Sequence, residues 1–273
     1  MNTSYVHGYN SREKSRLQDQ ALTLVELLHD DTFYPPGSRV LEAGCGVGAQ
    51  TLTLAANSPE ALITSVDISE SSVAETRKAL AVAGITNVTV EQADIFRLPY
   101  GPNSFDHIFI CFVLEHLPHP MEALEALRIC LKPGGTITVI EGDHGSTFFH
   151  PDSEAARRAI QCQVELQQRA GGNARIGRQL FPLLSAAGFE SVHVSPRMVY
   201  VDASRPELVD GFTRKTFTAM IEGIRDSAVS AGLIDTALFE KGIADLNRTT
   251  EQDGVFSYTF FKATGVSPVS DGS

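Results

Sequence analysis

The feature that most constrains the fold is Arg39–Thr51, where a short apolar strand runs into a glycine-rich loop and then a helix. Glu42 ends the strand, and Gly44, Gly46 and Gly48 make the turn. Glycine exposes bare backbone, so a ligand can approach closely, and the N–H groups of the following helix face it. A strand, a glycine loop and a helix in this order predict a nucleotide-type site.

The loop spacing by itself leaves two ligand classes open. Gly44, Gly46 and Ala49 also fit the dinucleotide pattern G-x-G-x-x-G/A. Glu42 distinguishes the two classes, because a carboxylate would repel a pyrophosphate and attract a cationic, phosphate-free ligand. The charge at the end of the first strand therefore favours the cationic ligand.

Three motifs together resemble those of the class I S-adenosylmethionine (SAM) dependent methyltransferases. They are E-x-G-x-G-x-G at 42–48, F-D-x-I followed by L-E-H-L within 105–117, and L-K-P-G-G at 131–135. The chain is most similar to the ubiquinone/menaquinone-biosynthesis-like group of small-molecule methyltransferases. The resemblance implies an α/β, Rossmann-like seven-stranded sheet, mostly parallel with the last strand antiparallel, and helices on both faces. It also implies SAM as cofactor and S-adenosylhomocysteine as product.

The alternation of apolar runs and helical patterns agrees with that fold. After the first strand we expect strands at 61–66, 87–92, 104–111, 136–140, 192–201 and 255–264. Helices are expected at 11–29, 51–56, 71–83, 121–131, 153–169 and 179–187.

An acidic residue closes the second predicted strand. The two carboxylate oxygens of Asp67 can meet the two hydroxyls of a ribose, and Ile68 can pack on the adenine face. Asp67 could instead cap the helix at 71–83, although Ser69 could also do so, and the two interpretations are compatible.

The resemblance assigns further cofactor contacts. It places Asp94 against the adenine amino group, the backbone of Ile95 near the ring, and the Cys111 carbonyl where the cofactor ammonium needs an acceptor. A single aspartate after a strand is also a common turn residue. From the helix before the first strand, Tyr9 and Arg16 are candidates to bind the methionine carboxylate, but that helix could serve packing alone.

Candidate catalytic residues follow the fourth and fifth strands. The resemblance implies that Glu115 and His116 overhang the transferring methyl, although His116 could be a structural histidine. Asp143 and His144 follow the fifth strand, at the sheet edge that opens onto the ligand crevice. We expect His144 to orient the substrate or act as general base, because imidazole titrates near neutral pH. Asp143 points to the acceptor or caps the turn.

The chain between the sixth and seventh predicted strands is longer than a seven-stranded sheet of this kind requires. About 50 residues separate the sixth and seventh strands, which is too many for a structureless loop. We expect one domain over 1–264 with a helical cap formed by 151–180 and 202–250, and a disordered tail over 265–273. The cap is interpreted as a lid over the active site; the alternative is a dimerisation element that would make a homodimer.

Composition restricts the kinds of partner that we expect for this chain. The net charge of −11 argues against sequence-independent binding to nucleic acid. No apolar run reaches the length of a membrane span, and residues 1–10 lack a signal-peptide pattern. The four separated cysteines predict reduced thiols in the cytoplasm rather than disulfides or zinc, and the histidine spacing predicts no metal site.

Together these features predict methyl transfer from SAM to a small hydrophobic or aromatic acceptor, of natural-product or quinone type, by in-line displacement. Two other functions stay open: an NAD-type oxidoreductase and a non-catalytic SAM-binding regulatory protein. The acidic balance and the cap argue against a polymeric acceptor.

Overall fold

The computed structural model describes residues 24–269. Tyr9 and Arg16 lie outside the described residues, as does most of the predicted helix at 11–29. Its last turns, residues 24–29 (α1), are helical and bury Leu24 and Leu28. Within 24–269, none of the helices has the length and apolar character needed to cross a membrane.

The described residues contain seven strands in one sheet. They are β1 (Arg39–Ala43), β2 (Leu62–Asp67), β3 (Val88–Gln92), β4 (Phe105–Cys111), β5 (Leu131–His150), β6 (Glu190–Val201) and β7 (Val255–Val266). All except β5 begin and end within about two residues of the ranges expected from hydrophobic patterning.

The strand order is β3-β2-β1-β4-β5-β7-β6. β1 pairs in parallel with β2 and β4, and β7 runs antiparallel between β5 and β6. The predicted sheet, mostly parallel with an antiparallel last strand, is confirmed. Because β1 lies inside the sheet and the order reverses beside it, its carboxyl end opens at the crevice where ligands bind in such folds.

Alternate side chains of the central strands fill two hydrophobic layers. In β4, Phe109 and Cys111 belong to one buried cluster, and Ile108 and Ile110 to the other. A central parallel strand is covered on both faces, which is why its residues are apolar without a break. Helices therefore lie on both faces, as predicted.

The helices begin close to the predicted positions. They are α2 (Ala49–Asn57), α3 (Glu70–Ala83), α4 (Pro120–Cys130), α5 (Glu154–Arg169), α6 (Leu180–Ala186), α7 (Pro206–Leu208), α8 (Ala219–Gly223), α9 (Arg225–Ser230) and α10 (Thr236–Arg248). A π-helix, Val209–Thr218, joins α7 to α8. The side chains of Ser69, Ser153 and Asp235 cap α3, α5 and α10 by accepting hydrogen bonds from backbone N–H groups three residues on.

The cap is built from α5, α7–α10 and the π-helix. Its apolar side chains pack into the same buried cluster as the aromatic residues of β7; they include Phe212, Phe217, Met220, Ile221 and Ile224. These side chains are buried within one chain, so they favour a covering over the sheet rather than a dimerisation face. Homodimer formation stays a prediction.

The first cap segment ends earlier than expected. Ile176 and Leu180 pack with Leu124 and Leu127 of α4 in the cluster on the other side of the sheet. The predicted segment 151–180 is therefore wrong at its end, because residues from Ile176 onward cover the sheet and the cap helix α5 stops at Arg169.

Two strands run further than the sequence indicated. β5 continues past Glu141 to His150, where it pairs with Val255 at the start of β7. At the other end, β7 reaches Val266, and Ser267 exchanges backbone hydrogen bonds with Gly134 and Gly135. The predicted disordered tail therefore starts too early at 265, since residues 265–267 are paired in the structure.

Candidate active site

The glycine loop lies at the carboxyl end of β1. Gly44, Gly46 and Gly48 all have positive φ, at 84°, 54° and 81°. A Cβ at Gly44 would overlap Cγ2 of Val113, whereas a Cβ at Gly46 would enter open space. The loop thus packs against the end of β4 on one side and leaves room for a ligand on the other, which fits a cofactor that approaches the backbone closely.

Gly44→Ala is expected to lower the free energy of unfolding by about 2–4 kcal/mol, because it adds a steric overlap to an unfavourable φ. Truncating the overlapping side chain in the double variant Gly44→Ala/Val113→Ala should recover the steric part of that loss. Urea unfolding measures both effects, and Gly101→Ala is a control because a Cβ there meets nothing within 4 Å. Strict additivity of the two substitutions would contradict the overlap.

Glu42 lies beneath the loop and is only 2% exposed. Its Oε2 accepts hydrogen bonds from Thr51 Oγ1 of α2 at 2.7 Å and from Ser65 Oγ of β2 at 2.6 Å. Burial raises the pKa of this carboxyl to about 7, although the two hydrogen bonds act to lower it. A positive ligand nearby would favour the ionised form, so the side chain fits a cationic cofactor.

Asp67 ends β2 and organises the loop. Its Oδ2 accepts from Gly46 N and its Oδ1 from Ser69 N, both at 2.9 Å. Burial raises the pKa of Asp67. Ser69, and not Asp67, is the N-cap of α3. The ribose-binding role of Asp67 stays a prediction. Each carboxylate oxygen still has acceptor capacity for a hydroxyl, and Ile68 beside it is 63% exposed.

Asp94 and Ile95 follow β3 on the neighbouring turn. Asp94 Oδ1 accepts from Phe96 N at 2.9 Å, which is the turn contact that the sequence left open. Ala93 N donates to Asp67 O at 3.0 Å and joins this turn to the end of β2. Ile95 is partly buried against the hydrophobic cluster. The structure therefore brings Asp67 and Asp94 to one edge of the sheet.

The end of β4 is held by Glu141 of β5, a residue that sequence reasoning did not assign to the site. Glu141 Oε1 accepts from Val113 N at 2.9 Å and from Leu114 N at 2.7 Å, just after Cys111. Phe112, between them, has a φ of 57°, which is unusual for a residue with a side chain. The turn that carries the predicted catalytic residues is therefore fixed by a buried carboxyl.

Glu115 and His116 lie on the 3₁₀ turn that Glu141 supports. Glu115 Oε2 accepts from Gln167 Nε2 of α5 at 3.2 Å, and its Oε1 is 3.5 Å from His116 Nε2. Burial, and then the charge of Glu115, raise the pKa of Glu141 well above its ordinary value. The cap helix α5 therefore touches one of the predicted catalytic side chains directly.

His144 lies on β5 where its pairing with β7 is interrupted, between Asp143 and Phe148. Its Nδ1 is 3.1 Å from the hydroxyl of Tyr258, and its ring is 6.0 Å from that of Phe217 in the cap. The imidazole therefore faces the cap from the sheet side, on the side of the predicted acceptor.

Asp143 is buried in an ion pair with Arg178. The residue is 1% exposed, and its carboxylate accepts two hydrogen bonds from Arg178, at 2.6 and 2.9 Å, and one from Gly145 N. The turn contact with Gly145 N agrees with the alternative of a turn-stabilising residue, and a role of Asp143 toward the acceptor stays a prediction. Its position is set by Arg178, a long-range partner that local sequence patterns do not reveal.

Sequence reasoning missed Glu141, Tyr258 and Gln167. In the sequence, Glu141 follows the predicted fifth strand directly, as Glu42 ends the predicted first strand, and this parallel was an available signal. Tyr258 and Gln167 are polar residues within otherwise apolar or helical patterns, and only the fold brings them to the site. Cys45, Cys111, Cys130 and Cys162 are buried free thiols.

Comparisons with known proteins agree with this geometry. A family model described as a methyltransferase domain matches residues 40–135. An uncharacterized 37.1 kDa protein in transposon TN4556 of Streptomyces fradiae is 33% identical over 80% of this chain and 62% of its own length. The 27-O-demethylrifamycin SV methyltransferase of Amycolatopsis mediterranei is 25% identical over 90% of this chain and 84% of its own length.

Among solved structures, Haemonchus contortus phosphoethanolamine N-methyltransferase 2, in complex with phosphomonomethylethanolamine and S-adenosylhomocysteine, has a similar fold. The TM-score is 0.58 at 17% identity, over 92% of this chain and 53% of that one. This chain therefore spans less than two thirds of the length of both the Streptomyces protein and the Haemonchus chain. The similarity to the solved structure concerns the fold alone.

Proposed function

We propose that this chain is a class I SAM-dependent methyltransferase that transfers the methyl group of SAM to a small, partly hydrophobic or aromatic acceptor. The observation that carries the proposal is the division of one sheet edge into two halves. Glu42, Asp67 and Asp94 lie with the glycine loop at the ends of β1–β3, and His144 lies under the aromatic cap on β5.

The cofactor half suits a cationic nucleoside. SAM supplies a methyl group on a positively charged sulfur, which leaves readily as a thioether. Asp67 would hold the ribose hydroxyls, and Ile68 would cover one face of the adenine. Asp94 and the backbone of Ile95 would bind the edge of the adenine. The Cys111 carbonyl would accept from the cofactor ammonium, while Glu42 supplies negative charge beneath the loop.

The acceptor half would be bounded by aromatic rings of the sheet and the cap. Phe217 lies 4.7 Å from Phe256 and 5.6 Å from Tyr258 between ring centroids, and Phe212 packs on the same rings. Apolar walls with a few convergent polar groups are typical of small-ligand sites. The Amycolatopsis relative, whose name specifies a rifamycin acceptor, aligns through the cap as well and supports an acceptor of natural-product type.

In this proposal the protein contributes mainly alignment and exclusion of water. The turn carrying Glu115 and His116 adjoins the end of β4, and the cap would close the opposite side. His144 would orient the acceptor or take its proton, and proton removal is needed only where the acceptor atom carries a proton that must leave.

The first test is calorimetric titration of the full chain with SAM, S-adenosylhomocysteine and NAD. We expect micromolar binding of the first two and none of NAD. Methyl transfer from labelled SAM should then be assayed against phenols, indoles and amines, with small RNA and a mixed peptide pool as polymeric controls. Tight NAD binding without SAM binding, or methylation of polymers alone, would contradict the proposal.

A further inference from the structure

Tyr258 and His144 form a buried pair beneath the cap. The Tyr258 hydroxyl is 3.1 Å from His144 Nδ1, and the two residues are 3% and 6% exposed. They lie on neighbouring antiparallel strands, 114 positions apart in the chain. The hydrogen bond joins the candidate catalytic histidine to a residue that the motifs of the family do not include.

The backbone around His144 turns the side chain toward Tyr258. The ladder between β5 and β7 is interrupted after Asp143, and His144 N donates instead to Ala174 O at 2.9 Å. Ser146 closes the interruption, since its hydroxyl donates to Asp143 O and accepts from Thr259 N. Bulges of this kind redirect a side chain next to active sites.

The position of the Tyr258 hydroxyl is fixed from several sides. A Cβ at Gly142 would overlap the hydroxyl oxygen, so only glycine fits beneath it. The Tyr258 ring packs 4.7 Å from Phe260 and 5.6 Å from Phe217 between centroids. These contacts pack against both the ring and the hydroxyl, so they place the hydroxyl next to the imidazole.

We propose that Tyr258 is the positioning residue for His144, and that the pair serves an acceptor whose methylated atom is a hydroxyl oxygen. This inference rests on the proposed function and names its substrate class. In the methyl-transfer step, the acceptor oxygen forms a bond to the methyl carbon. The carbon–sulfur bond breaks, and its electron pair goes to sulfur. The hydroxyl proton passes to His144 Nε2, and Nδ1–H donates to the Tyr258 oxygen.

The chemistry of the acceptor explains why a positioned base indicates a hydroxyl. A neutral amine attacks through its lone pair and loses its proton only after the methyl has moved. A hydroxyl is a weak nucleophile unless its proton leaves as the new bond forms, so a base in place accelerates that reaction. Burial raises the pKa of Tyr258 well above its ordinary value, so the phenol stays neutral as it accepts from the imidazolium.

The central variant is Tyr258→Phe, which removes only the hydroxyl. We expect kcat with hydroxyl acceptors to fall by about 10- to 100-fold, part of the gain that a general base gives, with SAM affinity within about twofold of wild type. Tyr200→Phe removes the same atom from an exposed position on β6 and should change neither value. Gly142→Ala keeps the hydroxyl but displaces it, and should reproduce the kcat loss.

A second readout does not depend on turnover. Nitrogen-15 NMR of the imidazole, assigned with His144→Gln, should show one dominant tautomer in the wild type and in Tyr200→Phe, and a mixture in Tyr258→Phe. If the protein neither binds SAM nor transfers methyl groups but the tautomer still changes, the proposed function fails while the positioning role stands. Unchanged imidazole signals and unchanged kcat in Tyr258→Phe would overturn the positioning role. Exclusive methylation of amines would overturn the substrate class.

Discussion

Glu42→Gln is expected to weaken SAM binding by about 10- to 100-fold, the effect of removing one negative charge a few ångströms from a cation in a partly buried site. The amide oxygen can still accept from Thr51 and Ser65, so the local fold should persist. The matched control is Glu60→Gln, which changes an exposed carboxylate near the start of β2. Calorimetry at pH 8 measures both variants.

The same substitution is expected to stabilise the protein. The pKa of Glu42 is about 7 in the fold against an ordinary value of 4.5. Below 4.5 the group is protonated whether the chain is folded or not, and contributes no pH dependence. Between 4.5 and 7 the unfolded chain releases the proton while the folded chain keeps it, so stability falls as pH rises. Above 7 the loss is complete and amounts to about 3 kcal/mol.

Glu42→Gln should therefore raise the free energy of unfolding by up to about 3 kcal/mol at pH 8 and have little effect at pH 4. In wild type, affinity for SAM should rise between pH 6 and 8 as the carboxyl ionises, and this rise should be absent in the variant. Urea unfolding at several pH values supplies the stability curve. Equal affinities of wild type and variant at pH 8 would falsify the role of Glu42 in binding the cation.

Glu141→Leu is expected to lower the free energy of unfolding by about 2–6 kcal/mol. It leaves the partly buried N–H of Val113 and the buried N–H of Leu114 without an acceptor, and each such group costs about 1–3 kcal/mol. Methyl transfer should fall as well, because the turn carrying Glu115 and His116 loses its support. Urea unfolding and hydrogen exchange of the two amides measure the effect.

Glu141→Gln is the matched control, because its amide oxygen can replace the carboxylate oxygen that accepts both N–H groups. We expect it to stay within about 1 kcal/mol of wild type, since the buried group is already hard to ionise. If the leucine and glutamine variants unfold at the same urea concentration, the two hydrogen bonds do not hold the turn.

The cofactor half of the site was the more predictable half. Glu42, Asp67 and Asp94 each follow an apolar strand, and carboxyl ends of parallel strands share one edge, so their proximity follows from strand order. The sequence pattern could not predict which groups surround these carboxylates. Glu42 is covered by Thr51 and Ser65, which come from two other elements, and this burial is the cause of its raised pKa.

For the cap, only its helical secondary structure could be predicted. Its helices follow from composition and length, but the π-helix Val209–Thr218 and its packing on the aromatic residues of β7 do not. β5 also exceeded its predicted range, because Glu141–Gly145 has the composition of a loop, whereas β7 provides a partner along that length. Partners distant in sequence override local preference in such cases.

By itself, the sequence determined the glycine loop, the order of strands and helices and the chemical class of the cofactor, because these depend on local conformation, hydrophobic period and charge. The tertiary structure decided which polar groups are buried and which of them form hydrogen bonds with each other. Arg178 binds Asp143, Glu141 holds the end of β4, and Tyr258 reaches His144 across 114 residues. Such contacts join distant parts of the chain, so they arise only when the packed elements fix both partners in space.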